Sequence, residues 1–554
     1  MKTTQILILL FLGAGILRAQ EPCIKNGSTY FMYANEIKAS LNANGKLFNA
    51  NNSGAFSAPS QGQDISTFFV ANWWLAGLDE AKNLLLSTPQ YGSGRQPGPL
   101  DGAGNPAGNC DDWNRVFAVK RTDIFNCMAE VPFLDAQTLV AKYPSVAGWP
   151  ANGNPHLEAV YGFPLPADPV KLAPFFDANT DGLYDPLDGD FPVVELLNIA
   201  PFVPDELAWV VYNDAFGVGP IGMEYQMTAW AFSTPTSPVM NRTLFINHTL
   251  AYKSAVRLDS VSLGLWADID LGCAEDDYVG FLPEQNAMIA YNMDPVDGLP
   301  GFNCIIGSSF SDQIPVQSVT LLNRPWDKFM YYNNSFPSTL HPAATLDPST
   351  PAAFYNYLNG SWRDGTPLTA EGSGYNPGLP NPPADFAFPG NPADTSGWSM
   401  CTSSLSFADR RVLGIVQFDS MVQGQTHEFL TAWTYHREYA LPCNLGNSIA
   451  EMDSIRLAYN NNFQGIVSAN NIPSGSFNVV AQPNPASNQV WLRYKGVQPD
   501  FVWVFDQYGR LWYNNSAPTA DEVLINTANW PAGMYFIRVD NGKTQRRIPV
   551  LVVH

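Results

Sequence analysis

The 554-residue sequence has few charged residues and, after its first 20 residues, no long apolar run. Asp, Glu, Lys and Arg make up 14% of the chain, against about 25% in ordinary soluble domains. Acidic residues prevail, and the net charge of -21 excludes nucleic acid and anionic lipid as partners because both would be repelled. Since the later apolar stretches are only strand-sized, we predict no transmembrane segment in the mature protein.

The seven cysteines include no Cys-x-x-Cys spacing, which leaves a zinc site or a thioredoxin-like redox site without support. In an exported protein such cysteines form disulfides. Proximity along the chain predicts three bridges and leaves Cys23 over, although sequence alone does not define connectivity. The predicted pairs are Cys110 with Cys127, Cys273 with Cys304, and Cys401 with Cys443.

The N-terminus has the order of a secretory signal peptide. Lys2 precedes an apolar run at residues 6–17, and the small residue Ala19 follows. The run is too short to span a bilayer comfortably, so we predict a signal peptide at residues 1–19 and export of the remainder. Cys23 is not expected to carry a lipid anchor, because the residues before it lack a small-residue box.

Short strands are predicted far more often than helices. Glycine and proline are plentiful, at 43 and 45 residues, and the apolar residues fall into short, often alternating runs. Strand after strand, bounded by Gly, Pro, Asn and Asp, is typical of antiparallel sandwiches. Helices are predicted at residues 135–142 and 447–460, and strands at 223–232, 244–250, 261–265, 411–418 and 429–435.

We therefore predict a mostly β protein in two parts. The cargo region, residues 20–470, is expected to be a large antiparallel β-sandwich with its main sandwich at about 205–440. Aromatic residues that need burial recur through residues 336–398, which predicts long ordered loops there rather than a disordered linker. Residues 471–554 have their own turns and are predicted to form a small immunoglobulin-like β-sandwich.

Residues 177–188 carry oxygen-bearing side chains at the spacing of a calcium-binding loop, with Gly182 at the sixth position. Calcium prefers many oxygen ligands, and side chains on alternate residues can converge on it. Pro186 prevents an ordinary continuing helix, so the loop is not a regulatory EF-hand pair. The predicted ligands are the side chains of Asp177, Asn179, Asp181, Asp185 and Asp188 and the main-chain carbonyl of Leu183.

This loop resembles a single copy of the Asp/Asn-rich calcium loops of thrombospondin type 3 and dockerin-like repeats. We expect a structural calcium ion that stabilises the fold, and the alternative is a solvated acidic turn.

A second acidic cluster contains Asp268, Asp270, Asp276 and Asp277. Asp268 and Asp270 point to the same side of a strand end, where like charges repel unless a cation or hydrogen-bond donors intervene. Three interpretations remain open: an acidic surface turn, a second cation site, or a carboxylate pair for glycoside hydrolysis.

Other catalytic patterns are incomplete. His427-Glu428 lacks the second histidine of a zinc-protease helix, and His427 and His436 flank a predicted strand, where we expect surface positions. Residues 446–450 lack the last glycine of a nucleophile elbow, and no Gly-rich phosphate loop follows a strand. These incomplete motifs favour a protein without enzymatic activity, but they leave the question open.

The end of the chain carries an ordered set of short motifs. They are Pro483-Asn484-Pro485, then Asp506 with Gly509, then Gly533 with Tyr535, and finally Lys543 before the last apolar run. In this order they strongly resemble the type A C-terminal sorting domain of the type IX secretion system of Bacteroidetes. The resemblance implies passage across the outer membrane, recognition by the secretion machinery, and usually cleavage with attachment to surface lipopolysaccharide or release.

The rest of the chain resembles a group of large exported Bacteroidetes proteins without an established activity. The matching segments are residues 149–153, 189–192, 266–278 and 360–365. We therefore expect an extracellular or outer-surface protein whose cargo is a calcium-stabilised adhesion, glycan-binding or structural module, with glycans or surface polymers as partners. The alternative is a secreted hydrolase that uses Asp268 and Asp270.

Overall fold

In the computed structural model of the protein, the described residues are 27–60, 63–92, 95–166, 171–216, 220–234, 237–298, 309–437, 442–463, 466, 478–495, 499–506, 510–516, 522–540 and 545–554. The predicted signal peptide, Cys23, Cys304, Gly509 and Lys543 lie outside them.

Two large antiparallel sheets form the cargo region. The first contains, from edge to edge, β1 (Thr29–Met32), β2 (Lys38–Asn42), β5 (Phe56–Ser60), β6 (Gln63–Leu78), β17 (Leu258–Ile269), β22 (Asp409–Met421) and β21 (Lys328–Asn334), with β7 (Leu84–Ser87) beside β6. The second contains β18 (Asp277–Leu282), β19 (Ala287–Asn292), β20 (Val316–Leu321), β23 (Thr426–His436), β16 (Thr243–Tyr252), β15 (Met223–Ala231), β14 (Glu206–Asn213) and β8 (Gln96–Pro97), with β9 (Phe117–Lys120) beside β14.

The remaining cargo elements are short. Three two-stranded ribbons pair β3 (Asn49–Ala50) with β4 (Ser53–Gly54), β10 (Phe175–Phe176) with β11 (Phe191–Pro192), and β12 (Val194–Leu196) with β13 (Ile199–Phe202). The helices are α1 (Cys110–Trp113), α2 (Arg121–Glu130), α3 (Ala136–Lys142), α4 (Pro144–Ala147), α5 (Leu157–Tyr161), α6 (Pro351–Leu358) and α7 (Ser448–Asn460). Short 3-10 helices cover Val131–Phe133, Pro186–Asp188, Pro238–Arg242 and Ala343–Thr345.

The second sheet is covered on both faces, which strand β14 illustrates. Its residues alternate between two cores, because successive side chains of a strand point to opposite faces. Ala208 and Val210 lie in the core shared with the first sheet, whereas Leu207, Trp209 and Val211 pack against the helices between residues 110 and 161. Every residue of β14 is therefore buried, which explains its nearly continuous apolar sequence.

The predicted mostly β class with antiparallel sheets is confirmed. Helices appear where they were predicted, as α3 and α7, and Asp135 caps α3 by accepting the backbone N–H of Thr138 at 2.7 Å. The sandwich begins at Thr29 rather than near residue 205, because the N-terminal strands join the first sheet. The helical layer from α1 to α5 was largely missed, since four of its five helices have seven residues or fewer and carry little periodicity.

The disulfide pattern corrects one of the three predicted bridges. Cys401 and Cys443 are bonded, with their Cα atoms 5.9 Å apart. Cys110 does not pair with Cys127, because Cys127 is a free, buried thiol while Cys110 is disulfide-bonded. Cys273 is also disulfide-bonded, and its predicted partner Cys304 lies outside the described residues.

The C-terminal part is a small sheet-rich domain with its own core. Its three-stranded sheet contains β24 (Asn478–Gln482), β25 (Gln489–Lys495) and β28 (Glu522–Asn526). Its four-stranded sheet contains β27 (Leu511–Ser516), β26 (Phe501–Asp506), β29 (Gly533–Asp540) and β30 (Gln545–Val552). Among the described residues of the whole chain, no helix is both long and apolar enough to cross a membrane.

Candidate functional site

The predicted calcium loop folds around its own acidic side chains. Asp177 accepts the backbone N–H groups of Thr180 and Gly182 at 2.6 and 2.9 Å. Asp181 accepts the N–H of Leu183 at 2.8 Å and the side-chain amide of Asn179 at 3.0 Å. A φ of +78° at Gly182 is the conformation that the predicted tight turn requires of a glycine.

The second half of the loop is organised differently. Asp185 Oδ1 lies 3.0 Å from His156 Nε2 and accepts the N–H of Leu187 at 2.9 Å, which caps the short helix that contains Asp188. Asp190 closes the loop, because its carboxylate accepts the N–H groups of Ala178 and Asp185, both at 2.8 Å. Asp190 was not predicted as a site residue, since it lies outside the twelve-residue pattern.

The loop therefore brings Asp177, Asn179 and Asp181 together and directs Asp185 towards His156. Groups of three or more Asp, Glu, His or Cys with ligand atoms within 4.8 Å of one another occur at two places in the described part of the chain, and neither is this loop. A calcium ion here would be held by Asp177, Asn179, Asp181 and the Leu183 carbonyl, and Asp185 lies against His156. The donor chemistry suits calcium, which accepts side-chain and main-chain oxygens.

An open cleft of about 410 Å³ borders the loop. Asp177 and Gly182 form part of its wall, and the half-buried ring of Phe175 forms another. The remaining lining residues are Asn152, Lys171, Leu172, Ala173, Pro174 and Glu195. Charged and amide groups thus face the same space as an aromatic ring.

The second acidic cluster separates into two groups. In the first group, Asp268 and Asp270 lie at the end of β17 and meet Asp409, with carboxylate oxygens within 4.8 Å of one another. Arg411 lies between them, with its Nη1 atom 2.9 Å from Asp268 Oδ1, and it also pairs with Asp409. Arg411 is thus the cation that the like charges required, and it was missed because it is 143 positions away in sequence but directly opposite Asp268 in the sheet.

This group is poorly suited to glycoside hydrolysis. The side chain of Asp268 is only 2% exposed and its charge is held by Arg411. Burial raises the pKa of Asp268 well above its usual range, and burial together with the charge of Asp409 raises the pKa of Asp270 to about 6. A general acid needs such a raised pKa, but it must also reach the substrate oxygen, which the buried Asp268 cannot do.

The other group contains Asp276 together with Asp297, which the sequence analysis did not select, and the buried Asp277 follows Asp276 in the chain and accepts the backbone N–H of Leu271. Asp276 and Asp297 have ligand atoms within 4.8 Å of each other, and both side chains are buried. The predicted four-residue cluster is therefore two neighbouring groups with different partners.

A serine, a histidine and a glutamate form a hydrogen-bonded chain that the sequence analysis also missed. Ser318 Oγ lies 2.9 Å from His436 Nε2, and His436 Nδ1 lies 2.7 Å from Glu451 Oε2. The expectation that His436 lies at the surface was wrong, because it is 0% exposed beneath α7. Ser318 is equally buried, so no substrate can reach its oxygen, and the chain of hydrogen bonds instead attaches α7 to the second sheet.

The motifs of the C-terminal domain converge at one end of its four-stranded sheet. Asp506 pairs with Tyr535 across β26 and β29, and Asp506 accepts the indole N–H of Trp512 at 3.0 Å. The side-chain oxygen of Asn484 accepts the backbone N–H of Leu551 at 2.9 Å, and Leu551 lies opposite Met534 in β29. Segments far apart in sequence thus meet where β29 begins.

Comparison with known proteins agrees with this geometry. Residues 481–552 match the family described as the secretion system C-terminal sorting domain. The chain therefore carries a C-terminal sorting domain of type IX secretion, which implies contact with that machinery and export to the cell surface or the extracellular space.

The other comparisons carry less information about the cargo region. No curated protein matches the chain. Among solved structures, a polysaccharide lyase matches with 8% identity and a TM-score of 0.17 over 59% of this chain. The chain spans 34% of the length of that lyase, and the TM-score is too low to carry an argument about the cargo.

Proposed function

We propose that the chain is a type IX-secreted surface or extracellular protein whose cargo region binds glycans in the cleft beside the 177–188 loop. The sorting-domain match at residues 481–552 supports the delivery part of the proposal. The C-terminal domain resembles the type A sorting domains, and residues 1–19 have the pattern of a signal peptide. Both features are consistent with one export route in a Bacteroidetes cell.

Delivery is tested by removing residues 477–554 in a host with type IX secretion. The truncated cargo is expected to accumulate in the periplasm, whereas the full chain reaches the surface or the medium. Normal surface display of the truncated chain would disprove the role of the domain.

The observation that supports glycan binding is the lining of the cleft. Its volume of about 410 Å³ lies within the range of small-ligand sites. Lys171, Glu195 and Asn152 can hydrogen-bond sugar hydroxyls, and the Phe175 ring offers an apolar face for a sugar ring. No comparable observation favours the hydrolase alternative, because Asp268 is buried and paired with Arg411.

Calcium has a structural role in this proposal. An ion held by Asp177, Asn179 and Asp181 would fix the wall of the cleft that Asp177 and Gly182 form. Extracellular calcium modules bind calcium with dissociation constants of about 10⁻⁴ to 10⁻³ M. A free calcium concentration of about ten times the dissociation constant stabilises the fold by roughly 1.4 kcal/mol.

A glycan array with the mature chain tests the cleft. Phe175→Ala is expected to abolish binding while the circular dichroism spectrum is unchanged, and Asp181→Ala is expected to weaken binding and remove part of the calcium-dependent rise in melting temperature. Phe336→Ala is the matched control, because Phe336 is 90% exposed and does not line this cleft. Equal binding by wild type and Phe175→Ala would contradict the proposal.

A further inference from the structure

Two buried carboxylates, those of Asp276 and Asp297, meet where two turns of the cargo region come together, and the buried Asp277 follows Asp276 in the chain. Asp276 and Asp277 lie at the start of β18, and Asp297 belongs to the segment that follows β19. Ligand atoms of Asp276, Asp297 and Cys273 lie within 4.8 Å of one another. Cys273 is disulfide-bonded, so its sulfur is not a thiolate ligand and the site is one of oxygen atoms.

These carboxylates are withdrawn from water more completely than surface acids. Asp276 is 0% exposed, and Asp277 and Asp297 are each 1% exposed. Among the residues that the structure describes, none of the three forms an ion pair with Lys, Arg or His. The guanidinium of Arg410 is close, but it donates to the main-chain oxygen of Asp277 rather than to a carboxylate.

Backbone donors satisfy some of the carboxylate oxygens and leave others without a partner. Asp297 accepts the N–H groups of Cys273 and Phe310, and Asp277 accepts that of Leu271 at 2.8 Å. Asp276 receives a long contact from Gly298 N, at 3.4 Å, and the side chain of Asn292 also lowers its pKa by hydrogen bonding. The Oδ1 atoms of Asp276 and Asp277 are buried and have no hydrogen-bond partner in the described part of the chain.

The main chain at Gly272 leaves room for the carboxylate of Asp297. Gly272 has a φ of +74°, and a Cβ atom there would lie 2.2 Å from Asp297 Oδ2. Any larger residue would push the carboxylate away from the turn, so glycine permits the close approach.

We propose that Asp276, Asp277 and Asp297 form a buried calcium site, separate from the 177–188 loop. Burying ionised carboxylates without a counter-charge carries a large desolvation penalty, and a bound divalent cation offsets it. The unpartnered Oδ1 atom of Asp276 supplies a free ligand position, and calcium accepts six to eight oxygens in flexible geometry, including carboxylates that also accept backbone N–H groups. The ion joins the turn before β18 to the segment after β19.

The experiment uses the mature chain with the first loop disabled. Asp177→Ala and Asp181→Ala form this background, so that calcium measured by isothermal titration calorimetry reports on the buried site alone. The background is expected to bind one calcium ion per chain, and adding Asp276→Asn and Asp297→Asn is expected to abolish that binding. Asp312→Asn removes the same charge from an exposed position and is expected to leave binding unchanged.

Melting temperatures distinguish loss of a site from loss of the fold. In EDTA, the melting temperature of the Asp276→Asn, Asp297→Asn protein is expected to equal or exceed that of the background protein, because the repulsion between the two carboxylates is gone. Calcium is expected to raise the melting temperature of the background protein only. If the double change prevents folding, Asp276→Asn alone serves for the same comparison. A folded background that binds no calcium, or undiminished binding after the Asp276 and Asp297 changes, would overturn the proposal without affecting the glycan-binding cleft.

Discussion

Asp268 in β17 and Arg411 in β22 face each other directly across the first sheet, with Arg411 Nη1 2.9 Å from Asp268 Oδ1. Both side chains are almost fully buried, at 2% and 4% exposure. This pair neutralises one charge of the acidic cluster, whereas Asp276, Asp277 and Asp297 form no ion pair with a cation among the residues that the structure describes.

Arg411→Met is expected to destabilise the fold by about 3–5 kcal/mol, because it leaves Asp268 as a buried charge without its partner. Urea denaturation monitored by tryptophan fluorescence measures the loss. The double variant Arg411→Met, Asp268→Leu is expected to recover most of it, since the buried carboxylate of Asp268 is removed and only the more exposed Asp409 loses its partner. Lys82→Met is the control, because Lys82 forms a solvent-exposed pair with Asp259 whose loss is expected to change stability little. Equal effects of Arg411→Met and Lys82→Met would contradict this account.

Stability in EDTA is expected to fall as pH rises from about 4 to 7. Burial raises the pKa of Asp276 to about 6 and that of Asp297 to about 7, whereas the unfolded carboxyl groups have a pKa near 3.8. In this window the native state binds more protons than the unfolded state, so the stability present below pH 4 is lost as pH rises through the folded pKa values.

The measurement is the melting temperature at a series of pH values, with EDTA or with calcium. Calcium is expected to flatten the decline, because the bound ion stabilises the ionised carboxylates. Asp297→Asn is expected to flatten it in EDTA as well. An identical slope in wild type and Asp297→Asn would contradict the assignment of the effect to this site.

Asp506→Ala is expected to reduce the exported fraction of the protein. Asp506 holds the turn between β26 and β27 by accepting the backbone N–H of Arg510 at 2.9 Å and the indole N–H of Trp512 at 3.0 Å. Losing both hydrogen bonds destabilises the domain by about 1–3 kcal/mol. Immunoblots of periplasm and medium measure the exported fraction, and Asp500→Ala is the control at an exposed position. A normal exported fraction for Asp506→Ala would show that this turn is not required.

Cys127 is expected to resist alkylation in the native protein and to react after denaturation. Burial raises the pKa of its thiol to about 12, so little thiolate forms at neutral pH. Mass spectrometry after iodoacetamide treatment without reductant measures the modification. Rapid native labelling of Cys127 would contradict its burial.

Replacing both Cys401 and Cys443 with Ser is expected to lower the free energy of unfolding by about 4 kcal/mol, because their disulfide bridge closes a 42-residue separation.

Local patterns were enough to predict much of the fold. Alternating apolar residues identified the strands that became β15, β16, β17, β22 and β23, because a strand with one or two buried faces needs apolar side chains at a period of two. The helices predicted at residues 135–142 and 447–460 correspond to α3 and α7. The short helices between residues 110 and 161 escaped, since their stability comes from packing on Trp209 and its neighbours rather than from periodicity.

The candidate sites also divide into those that local sequence defines and those that only tertiary contacts define. Residues 177–188 were selected because all their donor atoms lie in one short segment, and the sorting motifs were selected by their order along the chain. Asp409, Arg411 and Asp297 could not be selected, because each joins its group through sheet pairing or through a distant turn.

The sequence by itself determined the β-rich class, the C-terminal sorting domain and the calcium-type spacing of residues 177–188, because these depend on local periodicity and local order. Only the tertiary structure decided how the second acidic cluster is divided. Pairing of β17 with β22 places Arg411 beside Asp268, and the turns around β18 and β19 leave Asp276, Asp277 and Asp297 together without a cation from the described protein. Charge compensation in a buried site depends on distances in space, which positions along the chain do not specify.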